Sequence, residues 1–531
     1  MAEPDTAQRP LTRRAVLVSF SGLLLSMLLA SLDQTIVSTA LPTIAGDLGR
    51  LQDLSWVVTV YLLATTASTP LWGTFGDMYG RKRLLLTAIV VFLIGSALCG
   101  AAWNLAALVG FRGLQGIGAG GLMVMAMSVV GDIVSPRERG RYQGYIQAVF
   151  AFASVAGPLI GGFFVDTLSW RWVFYVNLPI GLVALVVIVV SLPAAPPGRR
   201  HRVDYAGAAL LVAAVCALLL ATEWGGRTYS WQSAQVLGLL AVAVLCAIGF
   251  VLRERAAAEA ILPLSMLANP VVAVSAITLF TVSACFFAAN VYLPTYLQVV
   301  LGRGATNAGL QLLPMLLTIM VATTLSGWLV TRTGRYKIFP VVGTVLIALA
   351  MWLFAQLRPG TSFAVVAADM VVMGLGFGLI TQILVVAVQN AVEQRKIGTA
   401  TASTNFFRSL GGSLGLALFG AIFGARLRAD ASSTVPRGLL SSGHDPTSLT
   451  PGQIRRLGTV AAHDIARAFA SALHSVFYAG LVIGLVSIVA VLFLKEVPLR
   501  QQGNQRPGES AGGRPVADRD GTAVGDRAAR N

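Results

Sequence analysis

Asp33 stands inside an apolar stretch from Ala15 to Ala40, in the run Ser31-Leu32-Asp33-Gln34-Thr35-Ile36-Val37. A carboxylate at the centre of a membrane helix costs about 2.5–3.5 kcal/mol to insert, and more without a partner. A residue kept at that cost binds a cation, carries a proton or pairs with a buried base. Arg112 is the matching base. Asp33 lies about seven residues before the outer end of the first apolar block, and Arg112 about seven after the outer start of the fourth. At ~1.5 Å per residue both sit roughly 10 Å below the outer surface, and the two helices are antiparallel, so equal depth permits contact. A guanidinium favours the ionised carboxylate, whereas desolvation favours the neutral acid. A pair balanced in this way can take up and release a proton as its exposure to water changes. Asp33 is therefore the expected proton-coupling acid and Arg112 its modulator. The alternative is an ion pair that only fixes helix 1 against helix 4. Asp369, at similar depth in the twelfth block, is the second candidate for a proton or cation site; an acid hydrated near the interface is the plainer reading.

The elements that must position these groups are membrane helices. The chain has 531 residues, 56% of them hydrophobic and only 12% charged, where a soluble protein carries about a quarter charged. The apolar residues fall in blocks of roughly twenty, the length that spans ~30 Å of hydrocarbon. We read an all-α membrane protein with fourteen transmembrane helices, at about 15–40, 54–72, 84–102, 105–130, 144–166, 174–192, 204–223, 234–252, 271–297, 307–330, 338–356, 362–388, 401–424 and 472–494. The first block is too long for a cleavable signal and contains Asp33, so it reads as a retained span.

Basic residues set the orientation. Arg9, Arg13 and Arg14 place the N-terminus in the cytoplasm, and an even span count places the C-terminus there too. Alternate loops hold Arg81-Lys82-Arg83, Arg137/Arg139/Arg141, Arg199/Arg200/Arg202, Arg253/Arg255, Arg332/Arg335/Lys337 and Arg395/Lys396, while the others hold about one basic residue each. The external loop 425–471 is the exception, long and arginine-bearing. The expected organisation is a cytoplasmic arm at 1–14, a six-helix bundle at 15–195, two inserted helices with linkers at 196–264, a second six-helix bundle at 265–495, and a disordered cytoplasmic tail at 496–531. A repeat supports the two bundles: Gly73-x3-Asp77-x2-Gly80-Arg81-Lys82 returns 254 residues later as Gly327-x3-Thr331-x2-Gly334-Arg335-x-Lys337. Paired bundles of this kind place a substrate site between them near the midplane. Asp132, ending helix 4, is a plausible partner for Arg81.

The motifs resemble the major facilitator superfamily, in its fourteen-helix drug:proton antiporter branch, over about Arg14 to Glu496. Leu32 to Pro42 looks like the branch's first-helix signature. Gly73 to Arg83 matches the loop between helices 2 and 3. Arg112-Gly113-Leu114-Gln115-Gly116 resembles the fourth-helix arginine motif, and Ala153-x3-Gly157-Pro158-Leu159-Ile160-Gly161-Gly162 the fifth-helix antiporter motif, with Ala153 where glycine is usual. Trp170 to Pro179 also resembles the branch. The resemblance implies alternating access. It implies an inner gate built on Asp77 and Arg81, joined by Asp132, and a helix-5 face at Gly157, Pro158, Gly161 and Gly162 that packs the two bundles and limits leak. It also implies export of amphipathic, cationic drugs and a proton gradient with no cofactor; the excess of arginine over lysine, with the alanine richness, suggests a GC-rich bacterial source and so a bacterial cytoplasmic membrane location. A narrow exporter of one antibiotic or metabolite is the alternative. Thr331 stands where the second-half loop would be acidic, which puts a matching gate there in doubt.

Trp56, Tyr61, Asn290, Tyr292, Gln311, Gln382, Phe406, Phe407 and Arg408 are candidates for a drug pocket, with Met123, Met125 and Met127 as adaptable surface. Partners are expected to be small molecules, protons and lipid, with the protein a monomer. The net charge of +16 lies in loop clusters, which argues against nucleic acid. Cys99, Cys216, Cys246 and Cys285 lack metal or redox spacing, the four histidines form no catalytic set, and no Walker loop is present, so an enzyme, a metal site or an ATP-driven pump is not expected.

Overall fold

The computed structural model describes residues 13–498 except 49–54, 135, 193–203, 227, 258–260, 263, 304–306, 308–309 and 435–458; residues 1–12 and 499–531 also lie outside the described set. Fourteen long helices are present among the described residues. They are α1 (Arg13–Leu48), α2 (Ser55–Tyr79), α3 (Arg81–Gly100), α4 (Leu105–Ile133), α5 (Pro136–Thr167), α6 (Asn177–Ser191), α7 (Tyr205–Trp224), α8 (Ala234–Ala256), α9 (Pro270–Thr295), α10 (Leu313–Thr333), α11 (Ile338–Phe354), α12 (Phe363–Ala391), α13 (Ile397–Thr434) and α14 (Thr459–Leu492). Twelve spans are long and apolar enough to cross a membrane. The remaining two are α11, with 17 residues, and α2, whose middle carries Thr65, Thr66, Ser68, Thr69 and Thr74. Those small side chains let α2 approach α4: a Cβ on Gly116 would lie 2.5 Å from the Tyr61 carbonyl oxygen, and Thr65 donates to the Gly116 carbonyl at 3.1 Å.

Hydropathy places the helix middles well and the ends poorly. A helix satisfies its own backbone groups and continues past the hydrocarbon without needing lipid. Thus α5 starts at Pro136 rather than near 144. Residues 425–434 and 459–471 of the expected external loop are helical, as the ends of α13 and α14. The rest of that loop, 435–458, and the tail from 499 lie outside the described residues.

Helices α1–α6 pack together around Leu23, Met27, Phe92 and Leu122, and α9–α14 around Leu293, Met351, Phe354 and Phe477. The bundles meet along two seams, α2 with α13 and α5 with α10. The inserted α7–α8 hairpin leans on α2 and α13 through Leu63, Ala67, Leu211, Leu219 and Phe406. Outward apolar side chains such as Val190, Leu245, Val321 and Val482 are exposed, as lipid-facing positions are.

The repeat seen in the sequence is structural. Gly80 and Gly334 occupy equivalent places and both take positive φ, 95° and 70°, to reverse the chain between helices. The lysine that follows each one reaches the C-terminal carbonyls of the last helix of its bundle. Lys82 donates to Val189 O at 2.8 Å, and Lys337 to Leu492 O at 3.1 Å. An ammonium there complements the negative end of the helix dipole.

Candidate functional site

Asp33 and Arg112 meet at the centre of the N-terminal bundle. Arg112 Nη1 donates to Asp33 Oδ2 at 2.6 Å. The other carboxylate oxygen is also filled: Gln115 Nε2 donates to Oδ1 at 2.8 Å and Asn177 Nδ2 at 3.0 Å. Arg112 Nη1 further donates to Gln115 Oε1 at 2.8 Å, and its Nε to Val57 O at 3.3 Å. Asn177 is itself held by Ser96 Oγ at 3.0 Å. The guanidinium carbon sits 4.0 Å from the Tyr61 ring centroid. Asp33, Gln115 and Asn177 are 0% exposed and Arg112 2%. The pair is thus a sealed, hydrogen-bonded network drawn from α1, α2, α3, α4 and α6. Water reaches Asp33 only after these helices shift.

Gln115 and Asn177 were not among the expected site residues. A weak signal for both existed: Gln115 is three residues after Arg112 on one helix face, and Asn177 is a lone amide at the start of an apolar helix.

A second charge cluster lies at the end of the molecule that carries the α2–α3 turn, here called the basic-loop end. Arg81 Nη2 pairs with Asp77 Oδ1 at 2.7 Å, and Arg81 Nη1 pairs with Asp132. Both also cross to the other bundle. Arg81 Nη2 donates to Gln394 O at 3.0 Å. Asp77 accepts from Gly398 N at 2.9 Å, Thr399 N at 2.7 Å and Thr399 Oγ1 at 2.9 Å. The Asp77 carboxylate therefore caps the exposed N–H groups at the start of α13, where the helix dipole is positive. Close approach makes this possible: a Cβ on Gly73 would lie 2.3 Å from the Ala402 Cβ. The basic-loop end is closed. Thr331 in the second repeat donates to Gly327 O within its own helix.

The helix-5 motif sits elsewhere than expected. Gly157 and Gly161 press on α1, where added Cβ atoms would lie 2.0 Å from Thr35 Oγ1 and 2.2 Å from Thr39 Oγ1. Thr35 Oγ1 also donates to Ala153 O at 2.9 Å. That contact is within the N-terminal bundle. Nearer the start of α5, Gly144 makes one close contact of the α5–α10 seam: its Cβ would meet Thr324 Oγ1 at 2.6 Å. Gly162 has open space beside it and Pro158 is exposed, because they point away from α1.

The candidate pocket residues disperse. Trp56 packs edge-on against Trp224 of α7, centroids 5.8 Å apart. Tyr61 belongs to the Arg112 cluster. Tyr292 packs on Phe423 at 5.3 Å, and Phe406 fills the α2–α7–α13 seam. Asn290 is half-buried on α9. Gln311 has a buried Oε1 with no partner. Gln382 is 1% exposed with both amide atoms unpaired. Asp369, 5% exposed, lies near Tyr296, apart from the Asp33 cluster, and forms no ion pair among the described residues. No group of three or more metal-ligating side chains occurs among the described residues.

Residues 23–416 match the family model of the Major Facilitator Superfamily. The chain is 41% identical over 482 residues to an uncharacterised MFS-type transporter of Mycobacterium tuberculosis, an alignment covering 91% of this chain and 70% of that one. It is 36% identical over 517 residues to the multidrug transporter protein MdtP of Bacillus subtilis, covering 92% and 94%. Among solved structures it resembles the proton:xylose symporter XylE, with a TM-score of 0.60 at 14% identity, over 91% of this chain and 96% of that one. At that identity the likeness speaks to the fold.

Proposed function

The chain belongs to the Major Facilitator Superfamily, and from that premise we propose that it is a proton-coupled antiporter exporting amphipathic drugs across the bacterial cytoplasmic membrane. The observation that carries the reading is Asp33, an acid sealed inside the bundle with a guanidinium on one oxygen and two amides on the other. A buried acid so enclosed exchanges protons only when the surrounding helices move, which ties its protonation to the conformational cycle. The named relative MdtP supports drugs as cargo.

In this reading the basic-loop end faces the cytoplasm, in keeping with the positive-inside rule. The clasp of Asp77, Arg81 and Asp132 on α13 holds that side shut. A shift of the helices around Asp33 admits a proton from outside, which neutralises Asp33 and frees Arg112. The bundles then rock, the clasp opens, and drug enters from the cytoplasm or inner leaflet. Drug binding and proton release to the cytoplasm return the protein to the closed arrangement. The gradient is the energy source and no cofactor takes part. Both carboxylate oxygens of Asp33 are engaged in the closed state, so Asp33 offers no free charge to a cationic drug there.

Proteoliposomes with an imposed pH gradient test this. Dye should leave energised vesicles, stop on addition of an uncoupler, and fail to move with Asp33→Asn. Gradient-driven efflux by that variant at the wild-type rate would sink the proton role. Resistance to many unrelated compounds in a pump-deficient host supports drug export, and resistance to a single scaffold supports the narrower exporter.

A further inference from the structure

We infer that Arg408 and Gln382 form a carboxylate-binding subsite in the C-terminal wall of the space between the bundles, so that the preferred cargo carries an acidic group. The inference rests on the export reading above and names its substrate chemistry.

Thr401, Asn405, Arg408 and Gly412 share one face of α13 by helical spacing. That face looks inward. Thr401 Oγ1 accepts from Gln389 Nε2 of α12 at 2.9 Å. Asn405 Nδ2 lies 3.5 Å from Met127 Sδ of α4, in the opposite bundle. A Cβ on Gly412 would meet Phe287 of α9. Arg408 lies on this inward face and is partly exposed there, so its guanidinium is open to the space between the bundles rather than to lipid.

No carboxylate among the described residues pairs with it. Asp33 is committed to Arg112, and Asp77 and Asp132 to Arg81. Asp369 lies thirteen residues before Gln382 on α12, or roughly 20 Å along the helix at ~1.5 Å per residue.

Gln382 is the second, independent observation. Its side chain is 1% exposed, and neither Oε1 nor Nε2 has a partner. Buried amides are rarely left unpaired. Helices α12 and α13 are consecutive and antiparallel, and Gln389 touches Thr401. Seven residues towards the middle on each helix returns to the same face, which sets Gln382 level with Arg408. A guanidinium fork and an amide N–H at one level, both unsatisfied, fit a carboxylate: the fork donates to its oxygens and the amide donates a further bond. A lone cation gains nothing from this pair.

The test uses a rhodamine with a free carboxylate and its methyl ester, bound to the full chain in lipid nanodiscs and followed by fluorescence polarisation. The wild type should prefer the acid. In Arg408→Gln the ratio of acid to ester affinity should fall about tenfold, the size of one lost charge-assisted hydrogen bond. Arg408→Lys should restore part of it, and Gln382→Leu should lower the ratio less. A ratio unchanged in Arg408→Gln overturns the subsite, as does a wild type with no preference for the acid. If Arg408→Gln does not fold, the comparison of Arg408→Lys and Gln382→Leu with the wild type decides in the same way. Efflux in energised vesicles keeps the two readings apart: uncoupler-sensitive export of both dyes without preference removes the subsite and leaves export standing, whereas no such export of either removes the export reading itself.

Discussion

Asp77 Oδ2 accepts the backbone N–H of Thr399 at 2.7 Å, joining residues 322 apart in the chain and in different bundles. One carboxylate thus salt-bridges Arg81 in its own bundle and caps a helix in the other. The clasp is strongest when the seam is closed, because the α13 N–H groups are presented only there.

Asp77→Asn should therefore loosen the basic-loop end without unfolding the bundles. An amide replaces charge-assisted bonds worth about 1.5–3 kcal/mol each with ordinary ones. Ser403, 1% exposed and one helical turn on from Thr399, whose carbonyl it bonds, reports the change. In a background free of the four native cysteines, Ser403→Cys should react faster with an impermeant maleimide in inside-out vesicles when Asp77→Asn is added. Equal labelling in both backgrounds would show that Asp77 does not hold the seam.

The same residue marks the limit of what the chain reveals on its own. Asp33 and Arg112 were legible because depth along a helix follows from counting residues. The Asp77–Thr399 contact was not, because a backbone N–H carries no signature in residue type and the partner lies in a distant helix. Nor did hydropathy show that α13 runs on to Thr434, since a helix leaving the bilayer keeps its hydrogen bonds while its side chains turn polar. Trp56 reads as a packing or interface residue ahead of cavity lining, and Trp224 of α7 is the aromatic it packs on, a partner that residue type alone does not reveal.

Burial of the Asp33–Arg112 pair makes single and double changes differ in sign of coupling. Removing one partner leaves a buried charge without a counter-ion, at about 3–5 kcal/mol. Arg112→Gln alone strands the carboxylate and Asp33→Asn alone strands the guanidinium. The double variant strands neither and should melt above both singles in detergent. If the three melting temperatures fall additively, the pair is not coupled as its geometry requires.

Tyr61 covers the Arg112 guanidinium with its ring at 4.0 Å, while its hydroxyl has no hydrogen-bond partner. Tyr61→Phe should thus preserve stability and transport, whereas Tyr61→Leu should lose about 0.5–2 kcal/mol of cation–π attraction. Thermal melting of the two variants against wild type measures this. A large loss from Tyr61→Phe would mean that the hydroxyl is engaged in a state other than the closed one.

The glycines of α5 separate by the direction in which each points. Gly157 and Gly161 face Thr35 and Thr39 of α1 at distances no side chain tolerates, while Gly162 faces open space. Gly157→Ala and Gly161→Ala should each cost about 1–3 kcal/mol through overpacking, read as a lower melting temperature and reduced yield. Gly162→Ala should be silent within about 0.5 kcal/mol. Trimming the opposing side chain tests the cause directly: Thr35→Ala should recover part of the loss in Gly157→Ala and none of that in Gly161→Ala. Rescue of both, or of neither, would mean that the helices shift as a unit instead of clashing at the two named contacts.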